Sequence, residues 1–354
     1  MRQLSVLKKL KLRTASGLSA GLLMFAALVA PAATVHADTG AGTCQNMTLS
    51  VALAEGQPAD QTVSGRLCTP LYWSGSAHQL DVLVAGATYN KMYWDWPTNS
   101  PLYSYTTYTL LAGRATFAYD NIGDGASSHP LSTSVTIEAN SFVLHQIIQH
   151  FAATHNYGKI DSVGHSMGSL IALDEAAAYN DVAGVVATGF IHNVNFAELP
   201  AAETSVYPAA FDPQFATSGL DLGYLTTIPG ARQSLFYSTA TSSPSVIAYD
   251  EAHKDVVSGT EFGELVTQIL LPPATSPSAG ISVPVYELVG QQDNIFCGTV
   301  NCTSASQVQT HDAPYYPLSP SFSAAVMPAT GHDLALHYTA PATFALINAW
   351  MLTH

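Results

Sequence analysis

The sequence predicts an α/β fold in which a largely parallel sheet is covered by helices on both faces. Three observations carry that expectation. Short apolar runs (Leu80–Ala85, Ala115–Tyr119, Lys159–Val163, Val182–Phe190, Val283–Val289, Ser321–Met327) alternate with stretches of helical period (Ile137–Ala153, Met167–Tyr179, Pro341–Leu352). The segment Gly164-His165-Ser166-Met167-Gly168 stands where one such run passes directly into one such helix. A chain of 354 residues, 47% of them apolar, can bury a large core.

The chain opens with the layout of an export signal. Arg2, Lys8, Lys9, Lys11 and Arg13 precede an uncharged run from Gly17 to Ala30, and Val35-His36-Ala37 places small residues for cleavage. The expected organisation is a signal peptide over 1–37 and one domain over 38–354, which makes the protein secreted. The apolar run is shorter than the ~20 residues that span a bilayer, so no stable membrane anchor is expected. Beyond residue 37 only six Lys+Arg face 25 Asp+Glu, and the net charge moves from −14 to about −19. Nucleic acid and anionic membrane surfaces bind through clustered cations, so both are excluded as partners.

Cys44, Cys68, Cys297 and Cys302 are an even set in a chain bound for an oxidising compartment. Four cysteines allow three pairings. Cys44–Cys68 and Cys297–Cys302 are favoured because each pair is local. A metal site competes less well: no histidine accompanies the Cys297/Cys302 spacing, and no other cluster has metal-ligand spacing.

Thr48–Leu53 and Thr62–Cys68 alternate apolar and polar residues, as half-buried antiparallel strands do. The run Leu80–Ala85 ends in Gly86, a helix is expected around Tyr103–Leu111, and Asp120–Gly125 is rich in turn residues. From about His192 to Gly280 the alternation breaks. Eight prolines and many aromatics make this stretch an insertion. Strand–helix alternation resumes at Val283.

A serine hydroxyl is a weak nucleophile and needs a base. At a sharp strand-to-helix turn, Ser166 is exposed and the Met167 N–H, at a helix N-terminus, is aimed at a developing oxyanion. An acid is then required after a late strand and a histidine nearer the C-terminus. Gly290-Gln291-Gln292-Asp293 and Ala329-Thr330-Gly331-His332-Asp333 supply them, giving the order Ser166, Asp293, His332. No acidic residue lies between Asp181 and Glu198, so the alternative acid position is empty. His337 is a rival base, set against by its place in a helical stretch. Ser166 and Asp293 could each be no more than a turn residue. A second match, Gly17-Leu18-Ser19-Ala20-Gly21, falls in the signal segment and is accidental.

On these motifs, together with Gly86-Ala87-Thr88-Tyr89-Asn90 and Asp120–Gly125, the chain from about Leu80 onward resembles the α/β-hydrolase fold family, in particular its secreted bacterial (actinobacterial-like) serine hydrolases and esterases. The resemblance implies a mostly parallel eight-stranded sheet flanked by helices, with a cap inserted after strand 6, where 192–280 lies. It implies catalysis by Ser166, His332 and Asp293 with the N–H groups of Met167 and Ala87 as oxyanion hole, Thr88 being the fallback. No cofactor or metal is implied, and the resemblance does not specify the substrate; a small apolar ester is expected if Tyr89, Tyr93, Trp94 and Trp96 face the site. The His-Gly that commonly opens the oxyanion loop in relatives reads Ala85-Gly86 here, which leaves the loop's support open. Acyl transfer, lactone or amide hydrolysis and perhydrolysis use the same machinery, and a non-catalytic exported binding protein is the reading from another class. Tyr89, Tyr93, Trp94 and Trp96 are expected as core more than as pocket lining.

Overall fold

The computed structural model describes residues 36–38, 40–98, 101–154 and 157–354, which belong to one compact unit. The expected signal segment lies outside the described residues except for His36 and Ala37. With Asp38 these form a short edge strand, β1 (His36–Asp38), so the expected cleavage point falls inside it. The elements that follow are β2 (Gly42–Val51), β3 (Gln61–Pro70), β4 (Gln79–Val84), α1 (Tyr105–Leu111), β5 (Ala115–Tyr119), α2 (Ile137–Thr154), β6 (Lys159–His165), α3 (Met167–Tyr179) and β7 (Val185–Thr188). A second group comprises α4 (Leu199–Thr204), β8 (Val206–Pro208), β9 (Tyr224–Thr227), α5 (Ala231–Phe236), α6 (Pro244–Ala252), β10 (Val257–Ser258) and α7 (Gly259–Ile269). The chain closes with β11 (Val285–Gly290), α8 (Ala305–Asp312), β12 (Phe322–Met327) and α9 (Ala340–Met351).

The main sheet has the order β1-β2-β3-β5-β4-β6-β7-β11-β12. β1 to β3 pair antiparallel, β3 joins β5 antiparallel, and every pairing from β5 to β12 is parallel. Eight main strands and the short edge strand make up this sheet. Its middle is buried on both sides, as parallel strands under helices require: Val82 and Val84 enter one core with residues of α2 and α3, Leu83 the other with residues of α9. β7 is shorter than the apolar run suggested, because Gly189 turns to φ 56° and takes the chain out of the strand. Between β7 and β11 the second group of elements builds a separate three-stranded sheet, β10-β9-β8, with α4 to α7 around it. Among the described residues no helix is long and apolar enough to cross a membrane.

The cysteines pair locally. Cys44 and Cys68 face each other across β2 and β3, and Cys297 joins Cys302.

Among the described residues each of the six Lys and Arg side chains has an acidic partner. Arg66 pairs with Asp95, Lys91 with Asp120, Arg114 with Asp81, Lys159 with Asp161, Arg232 with Asp250 and Lys254 with Asp212. The pairing of Asp81 and Asp161 is unequal. They sit opposite each other on β4 and β6, both fully buried, and Arg114 takes Asp81 with two hydrogen bonds of 3.1 and 2.9 Å. Asp161 keeps only Lys159 at 3.2 Å, and burial raises its pKa to about 7. A folded pKa above the unfolded value gives stability that is present at low pH and lost as pH rises through about 7. Asp161→Asn is therefore expected to match the wild type in thermal melts at pH 4. At pH 8 it should be more stable, by an amount on the order of 1–3 kcal/mol.

Candidate active site

The serine lies at the β6–α3 junction, in a backbone that only a crowded turn sustains. Ser166 has φ 54° and ψ −122°, a left-handed conformation that costs a non-glycine residue strain of order 1–3 kcal/mol. Its flanking glycines are required by space. A Cβ on Gly164 would stand 2.4 Å from the Gly168 oxygen, and one on Gly168 would stand 2.4 Å from the Val84 oxygen. The turn is knitted to the end of β7: the Ser166 N–H donates to the Thr188 oxygen at 2.8 Å, and Ser169 Oγ donates to the same oxygen at 3.0 Å. Met167 is the first residue of α3, where a backbone N–H has no intrahelical partner.

Asp293 follows β11, as its position in the sequence implied. Its Oδ1 accepts from the N–H groups of Ile295 and Phe296 at 2.9 and 3.1 Å, which leaves Oδ2 to meet His332 Nδ1 at 2.8 Å. The Cys297–Cys302 disulfide closes the loop just beyond. His332 is buried against the rings of Phe236 and Phe296. Burial pushes its pKa down, but the neighbouring Asp293 carboxylate outweighs that and the net shift is upward.

Ser166 and His332 open onto the same cleft. Ala87, Thr88 and Tyr89 line one part of it. Val194, Leu235, Phe236, Ile295 and Phe296 form the walls, and Phe262, Leu265, Val266 and Ile269 the roof. The roof is one face of α7, spaced i, i+3, i+4, i+7. A capping box between Ser258 and Glu261 starts that helix. Glu264 Oε2 accepting from the Ile137 N–H (2.7 Å) and Asn140 Nδ2 donating to Glu261 Oε1 (2.6 Å) fix it to α2.

A fully buried polar network lies behind the cleft. Arg232, on α5, donates two hydrogen bonds to Asp250 at 2.8 and 2.9 Å, and its Nη1 donates to Thr88 Oγ1 at 2.8 Å. Its guanidinium lies 4.2 Å over the Tyr89 ring. Thr88 needs this anchor, since it is a β-branched residue at φ 63°. Tyr89 donates its single proton among two carboxylates, Asp250 (2.9 Å) and, by a very short contact, Asp333. His165 Nε2 is 3.1 Å from Asp333 Oδ1, and its ring stacks on Tyr93.

Hydrogen-bond accounting places a proton on Asp333. The Thr188 hydroxyl spends its proton on the Gly164 oxygen, so His165 Nδ1–H donates to Thr188. Burial, and then the His332 charge, lower the His165 pKa well below 6.5, so the ring is neutral and Nε2 accepts. Asp333 must then be the donor. Burial and the Asp250 charge raise its pKa to about 7, in agreement. Asp333→Asn, which keeps one donor and one acceptor, is expected to retain kcat/KM within about threefold. Asp333→Ala should lose more than tenfold, since it leaves the buried His165 Nε2 without its partner and takes one of the two acceptors of Tyr89.

Two other histidines are excluded as the base by their contacts. His337 is not helical: it falls in the turn between the 3₁₀ segment Leu334–Leu336 and α9, because Pro341 confines that helix to starting at Ala340. Its Nε2 accepts from the N–H groups of Ser238 and Gly331 at 2.9 and 3.1 Å, and its pKa is lowered by burial to about 4. His192 belongs to a second serine–histidine–aspartate array, with Nε2 3.0 Å from Ser278 Oγ and Nδ1 3.0 Å from Asp312 Oδ2. Ser278 is enclosed at 1% exposure and has no left-handed strain, so this array packs α8 and the Pro277–Gly280 turn together.

Of the aromatics after the oxyanion loop, Tyr93, Trp94 and Trp96 are core, and Tyr89 both packs there and lines the cleft. Arg232, Asp250, Asp333 and the α7 face were not foreseen. The α7 spacing was visible in the sequence, and Arg232 is one of only six cations past residue 37.

The chain belongs to the alpha/beta hydrolase family, whose sequence pattern matches residues 82–345. No curated protein matches it in sequence. Among solved structures it is similar to a thermophilic esterase from Thermogutta terrifontis, at 18% identity and TM-score 0.56 over 87% of this chain and 98% of that one. It is also similar to a soluble variant of monoglyceride lipase from Saccharomyces cerevisiae (14%, TM-score 0.60, 84% and 93%). The enol-lactonase from Burkholderia xenovorans is a third (16%, TM-score 0.54, 86% and 99%). Identities this low speak for the fold.

Proposed function

We propose that the protein is a secreted carboxylester hydrolase working through an acyl-enzyme on Ser166. The observation that carries this reading is a strained serine opening onto the same apolar cleft as a histidine whose Nδ1 lies 2.8 Å from a buried aspartate. His332 Nε2 takes the Ser166 proton as Oγ attacks the ester carbonyl, and Asp293 holds the ring and stabilises the imidazolium. The N–H groups of Met167 and Ala87 bind the oxyanion, each worth ~3 kcal/mol in comparable sites. The imidazolium protonates the leaving alkoxide, and a water activated by His332 then releases the acid. The cleft favours an apolar acyl or alcohol group of modest size. Export is supported by the basic-then-apolar N-terminus and the two disulfides.

Turnover of a p-nitrophenyl ester series tests the reading, with amino-acid amides and lactones alongside. Short to medium acyl chains should react fastest, with the acid limb of kcat/KM centred above pH 6.5, as the upward shift of His332 requires. Amide or lactone turnover exceeding that of every ester would overturn the ester assignment and leave the triad standing.

A further inference from the structure

At the C-terminal end of α3, three side chains that the chemistry above does not use converge. A His145 nitrogen, an oxygen of Glu175 and an oxygen of Asp181 all lie within 4.8 Å of one another. His145 Nδ1 is 2.7 Å from Asp181 Oδ2 and 3.8 Å from Glu175 Oε1. The Glu175 side chain is wholly buried, and neither of its oxygens meets a hydrogen-bond donor. A carboxylate in that position is costly unless a cation compensates it. No basic residue stands in the last turn of α3, whose negative dipole end faces the same place.

We propose that His145, Glu175 and Asp181 form a binding site for a divalent transition-metal ion of the zinc type. The separations of 2.7 and 3.8 Å bracket the ~3.3 Å between neighbouring ligands when bonds of ~2.0–2.1 Å are arranged tetrahedrally. His145 and Asp181 keep 23% and 15% of their side-chain surface open, so an ion can enter and water can complete its shell. The supporting contacts are built. The His145 ring stacks on Tyr179 at 3.9 Å, and Gln149 Nε2 donates to Asp181 Oδ2 at 2.6 Å. One imidazole with two carboxylates suits zinc, whereas calcium and magnesium take oxygen shells. Two similar groups are unsuited: His192–Glu287–Asp312 is enclosed, and His165–His332–Asp333 belongs to the cleft and the network behind it.

Calorimetric titration of the EDTA-treated full chain with ZnCl₂ should show one tight ion per chain. At about 100 times Kd the Tm should rise by roughly 4 °C, while MgCl₂ and CaCl₂ leave it unchanged. Glu175→Gln and His145→Ala should each weaken zinc binding at least tenfold. Glu175→Gln should also show a zinc-free Tm at least as high as that of the wild type. Absence of a stoichiometric ion, an equal response to calcium, or unchanged affinity in both variants would overturn the proposal. The last outcome would assign the binding to surface histidines.

Discussion

Ser166→Ala is expected to lower kcat by about 10⁴–10⁶ while the protein stays folded, since it removes the nucleophile and relieves no packing. His332→Ala should cost about as much, and the double variant scarcely more, because the two residues act as one unit. Additive losses would show that the residues work separately. Ser278→Ala is the internal control. The second array has equally good hydrogen bonds, at 3.0 Å on each side of His192, and lacks only the strained turn and the cleft. Its loss should leave turnover at the wild-type level.

Arg232→Met should have the largest effect on stability. It strips both charged hydrogen bonds from a buried Asp250 and the anchor from Thr88. Removing one partner of a buried pair costs about 3–5 kcal/mol, which for a chain of this size lowers Tm by roughly 5–8 °C. kcat should fall too, because Thr88 at φ 63° holds the loop that carries Ala87. The variant Arg232→Met/Asp250→Leu separates these effects. An apolar pair should recover stability, as buried ion pairs replaced together often do, yet leave kcat low. Recovery of both would show that Arg232 is only a packing residue. In this chain an arginine of the 192–280 segment anchors Thr88, in the loop that opens Ala85-Gly86.

That support was illegible in the sequence for a physical reason. Arg232 is 144 residues from Thr88, and Tyr89 is 244 from Asp333, so no local pattern links them. Ser166, by contrast, sits in a motif whose geometry is local: a strand, two glycines forced by backbone contacts, and a helix. Asp293 and His332 were legible through chain order, because parallel strands bring successive loops to one edge of the sheet. Strand and helix placement followed from apolar runs and period. The departures are local: Gly189 shortens β7, and Pro341 fixes the start of α9 beyond His337. The roof helix α7 was overlooked although its apolar spacing was in plain view, because the segment around it is dense in proline and read only as an insertion.

The central claim is that Ser166 is the one activated serine. Peptide mass spectrometry after treatment with a fluorophosphonate tests it most directly. The expected result is a single stoichiometric adduct on Ser166, with Ser278 unmodified and labelling abolished in His332→Ala. A folded protein that leaves Ser166 unmodified, or carries the adduct on Ser278, would contradict the account.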